Sequence, residues 1–108
     1  MTAKRGEVFL IAIPGQSKPR PAVILTADWL GQYALDISVV LITSVPRANF
    51  PTRVELPVGE GGLKKTSWAK CDQVTTLPKA LLMSPAFGSV GTDKMEAIEQ
   101  AVRSALGL

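Results

Sequence analysis

Ile37-Ser-Val-Val-Leu-Ile-Thr43 is a nearly continuous, β-branched run. It predicts a central strand buried on both faces, because a half-exposed strand would alternate polar with apolar residues. Upstream, Glu7-Val-Phe-Leu-Ile-Ala-Ile13 and Pro21-Ala-Val-Ile-Leu-Thr26 are shorter apolar runs. The first stops at Pro14-Gly15, and the second starts on a proline, which a strand tolerates at its first residue. Between them, Pro14 to Arg20 holds Pro, Gly, Ser and two basic residues, the composition of an exposed cationic loop. Asp28-Trp-Leu-Gly-Gln allows one helical turn, capped by Asp28 and ended by Gly31.

Downstream, Ser44 to Thr52 carries two prolines and an arginine and reads as a loop, and Arg53-Val-Glu-Leu alternates as a half-buried strand. Gly59-Glu-Gly-Gly is a turn. Thr66 to Val74 alternates again, setting Trp68, Lys70 and Asp72 on one face and Ser67, Ala69, Cys71 and Gln73 on the other. From Thr92 the period becomes helical: Met95, Ile98, Ala101, Val102, Ala105 and Leu106 share a face, with Thr92 or Asp93 as cap and Gly107 as stop. Short consecutive strands, one terminal helix, no βαβ alternation and no repeat predict a mainly β fold, an antiparallel, partly closed barrel with the helix beside it.

A chain of 108 residues fits one domain, residues 1–108, and 46% hydrophobic with 19% charged residues is a globular balance. Apolar runs such as Val39 to Ile42 and Ala80 to Met83 are far too short to cross a bilayer. With no signal-peptide core after Met-Thr-Ala-Lys-Arg and with Cys71 as the sole cysteine, a reduced, cytoplasmic protein is expected. The net charge of +3 is unevenly spread: residues 1–70 hold nine of the twelve bases and five of the nine acids. The basic face therefore belongs to the first two-thirds. Histidine is absent, so a His-based general acid or base is excluded, and no Cys or acidic cluster has metal-ligand spacing. Neither metal nor cofactor is expected.

Lys4-Arg-Gly-Glu-Val-Phe-Leu, Arg20-Pro-Ala-Val-Ile-Leu, Leu41-Ile-Thr-Ser, Leu63-Lys-Lys-Thr-Ser and Cys71-Asp-Gln-Val-Thr-Thr-Leu follow one another at compatible spacing across nearly the whole chain. In that order they resemble the signature of the MazF/PemK/Kid toxins. The resemblance implies an SH3-like barrel, a homodimer, a cognate antitoxin and metal-independent cleavage of single-stranded RNA at short sequences. It carries the family's essential arginine onto Arg20 and its essential threonine onto Thr43. The Arg-Cys-Asp-Gln motif of the Kid-like branch reads Lys70-Cys71-Asp72-Gln73, with lysine replacing arginine. In the short first loop Gln16 matches a family glutamine, while the usual acid and histidine have no counterpart.

RNA cleavage without metal uses the substrate's 2′-OH as nucleophile, so the protein must take up one proton, stabilise the phosphorane and protonate the 5′ oxygen. The planar fork of Arg20 suits the phosphorane charge, and the Thr43 hydroxyl suits positioning. Asp72 is a weak candidate base, and Lys70 is the better candidate acid. Alternatively, Arg20 and Thr43 dominate while Lys70 and Asp72 hold the nucleotide. Gln16, Lys18, Ser44, Arg47, Phe50, Arg53 and Gln73 are the expected RNA-binding residues, Phe50 the aromatic chosen for base stacking. Lys64-Lys65 reads more readily as a solvated turn than as a phosphate clamp, Cys71 as a small buried hydrophobe, and Trp29, Trp68 and Phe87 more readily as core aromatics than as base-stacking or dimer-interface residues. Two other functions compete: a CcdB-like toxin that poisons gyrase by contact, and an inactive homologue that only binds antitoxin or RNA.

Overall fold

The computed structural model describes residues 2–46 and 50–108. Its strands are β1 (Glu7–Ile11), β2 (Arg20–Ile24), β3 (Asp36–Thr43), β4 (Arg53–Leu56), β5 (Ser67–Pro78) and β6 (Leu82–Ser89), with a single-turn helix α1 (Asp28–Gly31) and a terminal helix α2 (Thr92–Leu106). The strands form one antiparallel sheet in the order β4-β5-β3-β2-β1-β6. The β-branched run from residue 37 is thus inside the sheet, as expected.

Alternation along the inner strands feeds two cores. Val8, Val23, Val40 and Ile42 face α2 and meet Ile98 and Ala101, while Phe9, Ala22, Val39 and Ile37 face the other side with Ile11 and Ile24. The sheet's two edges, β4 and β6, do not pair; they are joined by packing. After β4 the chain turns through Glu60–Gly62, and Gly62, at φ 79°, lies so close to β6 that a Cβ there would stand 2.3 Å from the Phe87 carbonyl oxygen. Glu60 completes the seam by accepting a hydrogen bond from the Gly91 N–H at 2.6 Å. The barrel is therefore partly closed, with glycine required at the contact.

Four expectations change. A sixth strand, β6, occupies residues that gave no strand pattern; it is an edge strand whose only buried residue is Leu82, so burial imposed no alternation on it. Asp28 does not cap α1: it is the first helical residue, Ala27 takes the cap position, and the Asp28 carboxylate instead accepts the Arg5 N–H at 2.7 Å. Neither Thr92 nor Asp93 caps α2, whose cap position is Gly91; Gly107 closes the helix at φ 74° as read from sequence.

The fourth correction bears on the site. In β5 the alternation does not run straight from Ser67 through Gln73. Val40 pairs with Val74 but Ile42 with Ala69, so two steps along β3 span five along β5, and Lys70 to Gln73 form a bulge. Cys71 and Val74, three residues apart, consequently pack in the same core. Bulges of this kind re-aim side chains.

Candidate active site

The register of the sheet assembles the site. Ala22 lies opposite Leu41, and carrying that antiparallel register two residues further sets Arg20, the first residue of β2, opposite Thr43, the last of β3. Ile11 flanks Arg20 on one side, and Trp68 pairs with Thr43 on the other. Next to this row the β5 bulge leaves β3 and follows β4: Lys70 pairs with Arg53, and the Cys71 N–H donates to the Thr52 carbonyl at 2.9 Å. Two strand ends and a bulge thus converge on one end of the barrel.

Gln16, Arg20, Thr43 and Lys70 line a single open cavity of about 310 Å³, with Ile13, Leu41, Ile42 and Val45 as its apolar walls. Within it, the Gln16 side-chain oxygen accepts from Arg20 Nε at 3.1 Å. That bond fixes the guanidinium plane and leaves both terminal nitrogens for an anion. The Thr43 hydroxyl oxygen accepts the Val45 N–H at 3.1 Å, so its own proton remains available for donation.

Charge in the site is unbalanced. Burial lowers the Lys70 ammonium below its ordinary value of 10.5; the Arg53 guanidinium and then Arg20 push the same way, and Asp72 opposes them. Lys70 is therefore a stronger acid than a free lysine. Among the described residues Lys70 and Asp72, which the sequence set on one face, form no direct ion pair, and the salt bridge present, Arg5 to Glu99 at 2.6 Å, is elsewhere. Asp72 is exposed on the bulge while Lys70 is half-buried, so Asp72 acts through its field. Arg53 places its guanidinium 5.8 Å from the Phe50 ring centre, and its Nε is buried without a hydrogen-bond partner among the described residues.

Cys71 is fully buried and its thiol is pushed up to about 12, first by burial and then by Asp72, so it is no nucleophile. Ser44 does not line the cavity of Lys70 but a second, larger groove that shares Arg20 with it. Lys18 and Gln73 are exposed and line neither. Arg47 lies outside the described residues. Lys64, Lys65 and Phe87 line the second groove, although the sequence favoured a solvated turn for the lysines and the core for Phe87, which belongs to the strand that left no pattern. Trp29 and Phe87, read as core, are 69% and 46% exposed. Among the described residues no cluster of His, Cys, Asp or Glu could hold a metal ion, and no helix is long and apolar enough to cross a membrane.

A small antiparallel barrel with an arginine-centred, histidine-free cationic cavity defines a class of protein suited to meeting an anion. The family model of the PemK-like, MazF-like toxins of type II toxin-antitoxin systems matches residues 4–106, and the chain belongs to that family. It is 31% identical to an endoribonuclease MazF of Staphylococcus saprophyticus subsp. saprophyticus, over 97% of this chain and 92% of that protein. An endoribonuclease from a Mycobacterial species, solved in complex with its cognate antitoxin, superposes with a TM-score of 0.86 at 26% identity, covering 99% of this chain and 97% of that one. A MazE-MazF structure from Deinococcus radiodurans gives 0.84 at 18% identity, over 100% and 98% of the two chains, a likeness of fold alone.

Proposed function

We propose that this chain, an endoribonuclease toxin by family, cleaves single-stranded RNA at short sequences without a metal ion, using the substrate's own 2′-OH as nucleophile. The observation that carries this reading is the cavity that brings Arg20, Gln16, Thr43 and Lys70 together under a surplus of positive charge. The scissile phosphate lies against the free end of the Arg20 guanidinium, which stabilises the phosphorane as its charge grows. Thr43 donates its proton to a non-bridging oxygen. Lys70, acidified by its surroundings, protonates the departing 5′ oxygen. The 2′-OH proton goes to Asp72, exposed on the bulge, or to water. Arg53 and Phe50 border the same end of the barrel and suit a phosphate and a base, respectively.

A cognate antitoxin partner is supported by the Mycobacterial relative solved with its own. Pairing of two copies is supported by Tyr33 and Leu35, which are 80% and 86% exposed. The cytoplasm, where RNA is found, is the compartment this reading requires. Poisoning of gyrase by contact would leave the converging cations unexplained. Long RNA incubated with the purified protein in excess EDTA tests the reading: cleavage leaving a 2′,3′-cyclic phosphate or a 3′-phosphate is expected. Strict dependence on Mg²⁺ would sink the mechanism.

A further inference from the structure

Arg20 is shared by two cavities. On one side is the space of Thr43 and Lys70; on the other is a groove of about 570 Å³ that contains Lys64, Lys65, Leu63 and Phe87. The second groove is not needed for the steps above, yet it has the features of a nucleotide subsite. Its charged members are Arg20, Lys64 and Lys65, and none of the residues lining it is acidic. Phe87 is an exposed aromatic in the same groove. The loop that presents the lysines is held in place along its length: the Gly59 N–H donates to the Leu63 carbonyl at 2.8 Å, the Leu63 N–H to the Glu60 carbonyl at 3.1 Å, and the Ser67 hydroxyl to the Lys65 carbonyl at 3.0 Å. The Gly62 contact with the Phe87 backbone sets loop and aromatic side by side. A solvated turn needs none of this fixing.

We propose that this groove holds the RNA nucleotide flanking the scissile phosphate on one side, its base against Phe87 and its phosphates met by Lys64 and Lys65. The inference rests on the RNA-cleaving reading above. An RNA strand crossing Arg20 from the Lys70 cavity runs directly into the groove, because both cavities open onto that residue. Stacking on an aromatic face tolerates any base, and lysines meet phosphate as point charges, so the subsite contributes affinity more than sequence choice.

The test is the double variant Lys64→Gln/Lys65→Gln, both exposed positions, with Phe87→Ala as a separate variant whose fold is checked by circular dichroism. Single-turnover kcat/KM is measured on an RNA oligonucleotide with one cleavage site, and on versions trimmed to that site on the 5′ or the 3′ side, across a salt series. On full-length oligonucleotide the double variant should lose activity and flatten the log-log salt dependence by about 1.4, two phosphates at about 0.7 each for a single strand. Phe87→Ala should cost about 5- to 20-fold, the weaker end of base stacking because the ring is only half exposed. All of these losses should vanish on the oligonucleotide trimmed on one particular side. Wild-type cleavage with an unchanged salt slope in the double variant overturns the subsite and leaves the ribonuclease reading standing. Absence of wild-type cleavage overturns both. If poly-glutamate inhibits wild type but not the double variant while RNA kinetics match, the groove takes an acidic protein segment and the proposal is wrong.

Discussion

Arg20→Ala removes the group on which the two cavities meet, and its effect follows from the local geometry. Arg20 is exposed in the free protein, so its charge is screened until RNA covers it, and stability should barely change. Its catalytic contribution is that of one positioned electrostatic donor, commonly about 10²–10³ in rate. Solvent access places the expected loss nearer about 10². Gln16→Ala leaves the charge and removes only the 3.1 Å bond that orients it, a net loss of about 0.5–1.5 kcal/mol, or about 2- to 13-fold. Arg20→Lys should fall between the two, with charge restored and the two-pronged geometry missing. The assay is single-turnover cleavage of end-labelled RNA at saturating protein. Binding is followed separately by anisotropy on an oligonucleotide with 2′-deoxyribose at the cleavage position, and should weaken less than tenfold in all three variants. A folded Arg20→Ala protein cleaving within threefold of wild type refutes the charge-stabilising role and transfers the chemistry to Lys70 and Asp72.

The alkaline limb of kcat/KM should report Lys70: an acid whose pKa is lowered loses its proton before an ordinary lysine, so activity should decline below pH 10.5. Arg53→Gln removes a cation that lowers it and should move the limb upward; a limb that does not respond assigns the proton to another group. Cys71 should resist iodoacetamide at pH 8 in the native protein, because a thiol near 12 is almost wholly protonated there, and rapid alkylation without unfolding would contradict its burial. Sedimentation at micromolar concentration should give a dimer that Leu35→Lys shifts toward monomer; a wild-type monomer across that range would remove pairing from the account.

The legible parts of the fold were those where burial acts on both faces of a strand. β1, β2 and β3 are apolar runs rich in β-branched residues, and their positions differ from the sequence reading by at most two residues at either end. β6 was illegible for the opposite reason. It lies at the edge, with Pro85 and Gly88 inside it and one buried residue, so neither propensity nor period marked it. The bulge at Lys70 to Gln73 was hidden because period-two alternation is continuous in sequence even where the chain steps out of register with β3. Arg20 and Thr43 came only through family resemblance: an arginine before a proline and a threonine ending a strand carry no chemical signal until register sets them face to face.

On the proposed mechanism, the bulge is the feature that prepares Lys70 as an acid in a chain without histidine. A lysine in regular alternation opposite an arginine on an open strand would project into water, and its ammonium would differ little from one in solution. Here the strand leaves β3 but keeps its pairing with β4, which half-buries Lys70 and holds it across from Arg53 with Arg20 close by. Asp72, two residues on in the same bulge, offsets only part of that charge. Three cations against one carboxylate leave the half-buried Lys70 ammonium beside charges of its own sign, which loosens its hold on its proton. On the mechanism proposed above, an RNA phosphate between Arg20 and Lys70 would reverse the balance: it would satisfy the guanidinium, raise the affinity of Lys70 for its proton until the 5′ oxygen departs, and then, as negative charge moves onto that oxygen, let the proton cross.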